Sequence, residues 1–549
     1  MRKFVLAVLL VLLAASTGQA EPQRPAPGFL LNLYHFNIQY VVGNERSMRA
    51  IIVESFEPLV DWYLAHPGWG ADFEMQGIMI EYMGEHYPAV LEKFKKLINS
   101  GQCELVSFHL SDALLLAYPG HDEEWSLKLN DALFAKYGIK RSAVIFAQEE
   151  QFGEGFGVAG APHGYRIAIM SGGAYGWNND DGRFPFFTAN GLIVLPGAGR
   201  TEPASGIKAK FQFCGDGELV VAAGVSPYFP GLFRKNLARL KVLEEQFNAA
   251  IKDGYRPSTV TAYVDALLAA GVKPQPLKPY LDSPWRVGDG SGVFQWMGKY
   301  SLPWERDYDI RTRAWQVRSL LIEAEAAGAD PATLADAWYH MLNVEVSDPT
   351  GWYPLPVEVN FAYSEMEAVR KALAADGKLS LDELKKKAMS APACGAAASA
   401  PLTLVTRGKA ERATIKWSTL EGRADAFCVD VSWTGTGDGA VAFPWTTENI
   451  EYSPAMMENI VRVIPVSQTK SNPIHLALTN GLIGLGNGMY LVRDNNAGVV
   501  AAKLDFLAQQ IAFEIQKGRE KSYSFRFYLL KAKPDEALKF ANEVNRIEP

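Results

Sequence analysis

Two short acidic segments carry the residue types that acid–base and nucleophilic chemistry require. In the first segment, Glu149 and Glu150 come one residue after an apolar run at 143–147, which is typical of a buried parallel strand. In the second segment, Asp216 and Glu218 flank a glycine. Two carboxyl groups that face one pocket can serve as nucleophile and proton donor. A solvated turn at the first segment and a hairpin at the second are the structural alternatives, since D-G between apolar runs is a strong turn signal.

Other polar residues stand at the ends or inside of predicted strands. His35, Asn37 and Gln39 follow the apolar strand at 29–34, and side chains packed this densely need partners, which a polar ligand can supply. A lone histidine in such a place is more often a satisfied core residue. Asp72 shares one strand face with Glu74, and Glu104 is embedded among apolar neighbours, where a carboxylate is either an ion-pair partner or part of a site.

Aromatic side chains in loops are candidates for stacking on sugar rings. Trp285 and Trp296 lie in a Gly-rich loop, where a core role is less easily assigned than on a strand. Asp348 and Trp352 lie in a second loop, between two predicted helices. The sequence has 13 Trp and 22 Tyr, more than a core usually requires, although burial is the commoner use of any single Trp.

The elements that would position these residues alternate between strand and helix from residue 29 onwards. Their spacing suits βαβ units and so predicts an α/β part with a parallel sheet. Helices then dominate to about residue 390, an Ala-, Ser- and Pro-rich linker follows, and short alternating strands predict an antiparallel β-sandwich. The predicted divisions are a signal peptide at 1–20, an α/β domain at 21–275, a helical segment at 276–390, the linker at 391–401 and a β-sandwich at 402–549.

The first twenty residues predict export. Two positive charges, an apolar run at 4–15 and a small-residue exit at 18–20 are typical of a secretory signal peptide, with cleavage after Ala20. We therefore expect a secreted or periplasmic protein without membrane insertion. The formal charge is -7, and loss of Arg2 and Lys3 leaves 52 bases against 61 acids, or -9. Without a basic block, nucleic acid is not an expected partner.

The four cysteines are compatible with an oxidising compartment. They allow three pairings, among which we expect Cys394 with Cys428 if one forms. Spacing of the CxxC type, which metal sites use, is absent.

Short motifs spread over 29–365 resemble glycoside hydrolase family 57, with a more distant likeness to the family 38 α-mannosidases. YHFNIQY resembles the first-strand motif H-x-H-Q-P-Y and keeps His35, and FEMQG with IEYM is similar to the second segment. GQCELV resembles G-Q-x-E and places Glu104 in the site. FAQEEQF resembles W-L-x-E with Glu149 as nucleophile, FCGDGEL resembles D-x-E with Asp216 as acid/base, and SDPTGWYP is similar to S-D-x-x-W-W.

This resemblance implies a seven-stranded parallel β/α barrel followed by a helical segment, acting on α-linked glucans or galactosides with retention. Glu149 would attack the anomeric carbon and Asp216 would protonate the leaving oxygen. Glu150 is the alternate to Glu149, because EQFG also resembles the D-P-F-G of family 38, and Glu218 is the alternate to Asp216. The expected substrate-binding residues are His35, Asn37, Gln39, Asp72, Glu104, Trp285, Trp296, Asp348 and Trp352.

Departures from the family pattern leave two alternatives open. Family 38 binds zinc through H-x-D, whereas this chain has Asn37, a poor zinc ligand, so we expect no catalytic metal and no cofactor. The altered motif also allows a non-catalytic glycan-binding protein on the same barrel. A metal-dependent carbohydrate deacetylase is the second alternative, but its usual His-x3-His is missing among the eight histidines. The expected partner is an oligo- or polysaccharide substrate, and the oligomeric state is left open.

Overall fold

A computed structural model describes residues 27–171, 174, 186–197, 200–201, 205–216, 222–223, 234–235, 238–278, 281–282, 294–298, 307–351, 354–469, 472–519 and 521–549. The predicted signal peptide, Glu218, Trp285 and Trp352 lie outside these residues.

A parallel sheet centred on the first strand forms one half of the α/β part. Strand β1 (Gly28–Phe36) pairs in parallel with β2 (Asp72–Met75), with β9 (Lys208–Asp216) and with β12 (Tyr255–Ser258). Strand β3 (Glu104–Val106) extends the sheet beyond β2. The short β8 (Arg200–Thr201) joins β9 in antiparallel orientation. Nearly every residue of β1 is apolar and buried, as expected for a strand covered on both faces.

A second sheet completes the α/β part. Strands β4 (Val144–Ile145), β5 (Ile167–Ser171) and β7 (Leu192–Gly197) are parallel. β6 (Phe187–Ala189) runs antiparallel to β7, and β13 (Gln275–Pro276) pairs with β6. The backbone N–H of Ser142, just before β4, donates to the carbonyl of Leu105 in β3 over 2.7 Å, so the sheets adjoin there. The predicted α/β organisation is confirmed, and closure into a seven-stranded barrel stays a prediction.

Alternation along the strands separates an inner from an outer apolar face. The inner cluster unites Leu33, Val106, Val144 and Ile169 from both sheets with the helix Val260–Ala269. The outer face packs against helices that precede and follow β2. Polar residues of the inner face are therefore confined to the carboxyl ends of the strands or to contacts with that helix.

The helices follow the predicted order. In the α/β part they are α1 (Glu45–Ala50), α2 (Glu57–Ala65), α3 (Gly77–His86), α4 (Pro88–Asn99), α5 (Gly120–Tyr137), α6 (Phe156–Gly160), α7 (Ala238–Lys252) and α8 (Val260–Ala269). A π-helix at Ile51–Phe56 joins α1 to α2. The helical segment contains α9 (Phe294–Met297), α10 (Asp307–Ala326), α11 (Pro331–Val344), α12 (Pro356–Ala375) and α13 (Leu381–Ala388). None of the described helices is both long and apolar enough to cross a bilayer.

Two antiparallel sheets follow the helical segment and share one apolar cluster, as the alternating pattern predicts. The larger sheet contains β14 (Cys394–Ala397), β16 (Thr414–Leu420), β17 (Arg423–Gly435), β19 (Asn449–Tyr452), β20 (Arg462–Pro465), β22 (Leu482–Gly486), β23 (Met489–Arg493) and β26 (Lys521–Lys531). The smaller sheet contains β15 (Val405–Gly408), β18 (Gly439–Pro444), β21 (Ile474–Leu476), β24 (Ala502–Asp505) and β25 (Gln510–Ile515). Helix α14 (Pro534–Asn545) packs on the larger sheet. The predicted disulfide Cys394–Cys428 is confirmed and links β14 to β17.

Candidate active site

The carboxyl end of β1 brings the predicted site residue His35 next to two acidic residues, Glu74 and Asp216. Nδ1 of His35 contacts the buried carboxylate of Glu74 on β2. On the other side of β1, His35 stands in register with Asp216, the last residue of β9. The register of the two strands is irregular between Leu33 and His35, so the pairing of His35 with Asp216 is one of backbone position. Asp216 thus ends β9 next to His35, at the end of the strands where such folds keep their chemistry.

The turn after β4 has an unusual backbone. Glu149 and Glu150 have φ angles of 57° and 50°, in the left-handed region that side chains other than glycine rarely adopt. Each such residue costs about 1–3 kcal/mol and persists where surrounding contacts enforce it, often at functional sites. The two carboxylates have different hydrogen-bond partners, Ser347 for Glu149 and Ser171 for Glu150. Glu149 Oε1 accepts a hydrogen bond from Ser347 Oγ over 3.3 Å.

Glu150 connects the two sheets. Burial raises the pKa of its carboxyl, and a hydrogen bond from Ser171 together with the charge of His35 opposes that rise. Ser171 is the last residue of β5, whereas His35 is near the end of β1. Glu150 thus lies within the electrostatic reach of strand ends from both sheets. The acidic turn after β4 and the position of Asp216 share His35 as a neighbour and open at the same end of the strands.

A second buried acid, Asp112, organises the residues after β1. Asn37 Nδ2 donates to Asp112 Oδ2 over 2.8 Å, and the amide of Gln76 donates to the other oxygen. The backbone N–H of Gln39 donates to Asn37 Oδ1 over 2.7 Å. Burial raises the pKa of Asp112 well above its usual range, and the charge of Asp348 raises it further. Asp112 is therefore a buried acid held in place by two side-chain amides.

The loop after α11 joins this network as the sequence predicts. Ser347 N donates to the carbonyl of Asp112 over 3.0 Å, and Ala113 forms a β-bridge with Val346. These backbone contacts fix the loop against the segment after β3. As a result, Asp348 lies close enough to Asp112 to perturb its pKa, and Ser347 reaches Glu149.

Asp72 and Glu104 lie at the start of their strands, farther from the carboxyl ends than Glu74. They are the first residues of β2 and β3 and are paired with each other in register. Asp72 Oδ2 accepts the Val260 N–H over 3.0 Å, and Thr261 Oγ1 donates to Glu104 Oε2 over 2.7 Å. Burial and the neighbouring Glu104 charge raise the pKa of Asp72. In this structure both carboxyls hold the start of α8, two residues along β2 from Glu74.

Trp296 is buried in the helical segment. Only 5% of it is exposed, and it packs with Tyr118 and Trp315 in one apolar cluster. Its ring therefore belongs to the core between α9 and α10 in this structure.

Three buried residues near the site were not among the predicted ones. Glu74, His109 and Asp112 have no solvent exposure. His109 Nε2 lies 3.3 Å from Glu74 Oε1. Burial raises the pKa of Glu74, and the charge of His35 is the largest effect that lowers it. The signals were present in FEMQG and in the polar residues of SFHLSD directly after β3. A strand-end position is the property they share with His35 and Glu149.

The donor set at Asn37 does not fit the zinc site of the α-mannosidase pattern. Both ends of its amide are already engaged, with Asp112 and with the Gln39 N–H, and an amide is a poor zinc ligand. Among the residues that the structure describes, no cluster of three or more His, Cys, Asp or Glu side chains could hold a metal ion.

Comparisons with known proteins agree with the resemblance predicted from the motifs. No protein-family model matches the chain. Alpha-amylase 1 of Dictyoglomus thermophilum is 27% identical over 103 residues, which are 19% of this chain and 14% of that protein. The chain thus spans about one seventh of the curated relative it matches.

Solved structures provide a fold likeness. An alpha-mannosidase from Enterococcus faecalis V583 has a TM-score of 0.60 at 8% identity, covering 95% of this chain and 89% of that chain. A GH57-type branching enzyme from Pyrococcus horikoshii has a TM-score of 0.43 at 13% identity, covering 66% and 94%. The likeness to the alpha-mannosidase is one of fold, and it extends over nearly the whole length of both chains.

Proposed function

We propose that this protein is a retaining glycoside hydrolase or glucanotransferase that acts on α-linked glycans, built on a closed seven-stranded β/α barrel. The observation that carries the proposal is the convergence at one end of the strands. Glu150 interacts with His35 and Ser171 from opposite sheets, and Asp216 stands in register with His35. The names of the similar proteins, an alpha-amylase, an alpha-mannosidase and a branching enzyme, support a glycan as the substrate.

The proposed reaction is a double displacement. A Glu149 oxygen bonds to the anomeric carbon as the glycosidic C–O bond breaks, and Asp216 gives its proton to the departing oxygen. Asp216 then takes a proton from water or from an acceptor sugar, whose oxygen bonds to the anomeric carbon and displaces Glu149. This step restores Glu149 as a carboxylate and Asp216 as a protonated acid. His35, with the Asn37–Asp112–Asp348 network, offers hydrogen-bonding groups for sugar hydroxyls beside this pair.

Activity assays on single variants test the assignment. The mature protein is incubated with α-linked glucans, mannans and galactosides, and the products are separated by chromatography. We expect turnover by the wild type and a loss of at least about a thousandfold for Glu149→Gln and Asp216→Asn. Glu92→Gln, at an exposed glutamate, is the matched control. Full activity of Glu149→Gln with loss in Glu150→Gln would move the nucleophile by one residue.

Stereochemistry and binding discriminate the remaining possibilities. NMR of the first-formed product should show the α-anomer if the reaction proceeds with retention. Oligosaccharide binding by calorimetry without turnover of any substrate would instead identify a non-catalytic glycan-binding protein.

We also propose that the protein is exported. The disulfide Cys394–Cys428 supports an oxidising compartment, where such bonds persist. Mass spectrometry of the protein from the periplasm or medium should give the mass of a chain that starts at Glu21. Recovery of the full-length chain from the cytoplasm alone would contradict export.

A further inference from the structure

The side chain of His109 is hydrogen-bonded to the backbone of the acidic turn, the turn at Gln148, Glu149 and Glu150. Its Nε2 accepts the backbone N–H of Gln148, the residue before Glu149, over 3.2 Å. The histidine is itself fixed, because its carbonyl accepts hydrogen bonds from Gly77 N at 3.2 Å and from Asn130 Nδ2 at 3.3 Å. With no solvent exposure, His109 provides a rigid acceptor at the start of the turn.

Gln151 holds the other end of the same turn. Its Nε2 donates to the carbonyl of Gln148 over 2.8 Å and to that of Ala113 over 3.1 Å. Its Oε1 accepts the Leu116 N–H over 3.1 Å. Both the N–H and the C=O of Gln148 are therefore hydrogen-bonded, to the side chains of His109 and Gln151. The segment after β3 in turn fixes the positions of these two side chains.

This anchoring accounts for the left-handed backbone of the two glutamates. Two consecutive residues with φ near 50–57° are costly without support, since only glycine adopts this region freely. Releasing Gln148 would let the turn relax towards negative φ. Relaxation would rotate the Glu149 and Glu150 carboxylates away from Ser347 and from Ser171, their present partners.

We propose that His109 is a positioning residue for the acidic pair, which acts through the Gln148 N–H and not by contact with the sugar. The expected change in kcat rests on the proposed function. The expected change in the backbone of the turn does not. The role needs an acceptor at Nε2. A proton on that nitrogen would direct it instead towards Glu74 Oε1, 3.3 Å away, and leave the Gln148 N–H unsatisfied.

Two substitutions at one position separate positioning from simple packing. His109→Gln keeps an acceptor oxygen near the place of Nε2, whereas His109→Leu fills similar space without one. We expect kcat to fall at least about tenfold in the Leu variant, the effect of one lost buried hydrogen bond, with KM within about threefold of wild type. The Gln variant should keep kcat within about threefold. Leu105→Ala, a fully buried residue of the outer face, controls for loss of stability alone.

Crystal structures of both variants supply a readout that does not depend on activity. We expect Glu149 and Glu150 to lose positive φ in His109→Leu and to keep it in His109→Gln. Equal kcat values for the two variants, or an unchanged turn in the Leu variant, would overturn the proposal. If His109→Leu does not fold, Gln151→Leu tests the same anchoring from the carbonyl side. Absence of any glycan turnover by the wild type would refute the proposed function, and the crystal structures would still decide the role of His109.

Discussion

Asp282, in the segment after β13, allows a quantitative test of how that segment is joined to the β-sandwich. Its Oδ2 accepts the backbone N–H of Ala455, in the sandwich, over 2.9 Å, and its own N–H donates to Tyr452 Oη over 3.2 Å. Burial raises the pKa of this carboxyl to about 8, with smaller contributions from the charges of Glu154 and Glu458. At neutral pH Asp282 is therefore protonated in the folded protein and ionised in the unfolded chain.

The sign of the pH effect follows from this difference. A group whose pKa is higher in the folded state contributes its stabilisation at low pH and loses it as the pH rises through the folded value. The shift from an ordinary aspartate value near 3.8 to about 8 sets a limit of about 6 kcal/mol, and nearly two thirds of it falls between pH 5 and pH 8. The wild type should therefore lose about 4 kcal/mol of stability over that range through this group alone.

Asp282→Asn should remove this dependence. The asparagine oxygen can still accept the Ala455 N–H, and no charge has to be buried at high pH. Urea unfolding at pH 5 and pH 8 should show the variant less stable than or equal to wild type at pH 5 and more stable at pH 8. Asp253→Asn, at an exposed aspartate, should leave the wild-type slope unchanged. Parallel pH profiles for wild type and Asp282→Asn would refute the reasoning.

Three further substitutions probe other contacts. Gly155→Ala should destabilise by about 1–3 kcal/mol because its Cβ would overlap a sandwich backbone carbonyl, while Gly377→Ala, with nothing near its Cβ, should be close to neutral in thermal melts. Arg318→Leu should cost about 3–5 kcal/mol in urea unfolding, since it leaves a buried aspartate unpaired, and a smaller loss would show that the aspartate finds another partner. Cys428→Ser should cost about 3–4 kcal/mol, given the 34-residue separation from Cys394, and reductant should then have no further effect on the melt.

Local pattern was sufficient for the elements and for the strand ends that carry the site. The apolar run before Glu149 and the strand before His35 are short, uninterrupted and followed directly by polar residues, so both the strand and its end can be read from neighbouring residues. The antiparallel sheets after residue 394 were predictable for the same reason, because period-2 alternation is a property of each strand alone. The predicted Cys394–Cys428 pair joins β14 to β17, two strands of the larger sheet that β16 separates.

The position of a polar residue between the two ends of its strand was not predictable in the same way. Asp72 and Glu104 are polar residues in apolar strands, as His35 is, yet they begin their strands and hydrogen-bond the start of α8. Helix α8 comes more than 150 residues after Glu104 and reaches it only through the assembled sheet. Strand register and the docking of a distant helix are non-local, so a single segment does not reveal which level of the inner face a carboxylate occupies.

The acidic turn shows why the residues that support a site are harder to find than those that compose it. Adjacent glutamates are visible in the sequence, but their left-handed backbone is enforced by His109 after β3, by Gln151, and by a loop that follows α11 almost 200 residues later. None of these has an unusual residue type or spacing by itself. A histidine between two apolar residues is an ordinary core pattern, and only its bond to the Gln148 N–H distinguishes it. Because strain in such a turn must be balanced by contacts from several segments, the arrangement of the two carboxylates depends on the whole assembled fold.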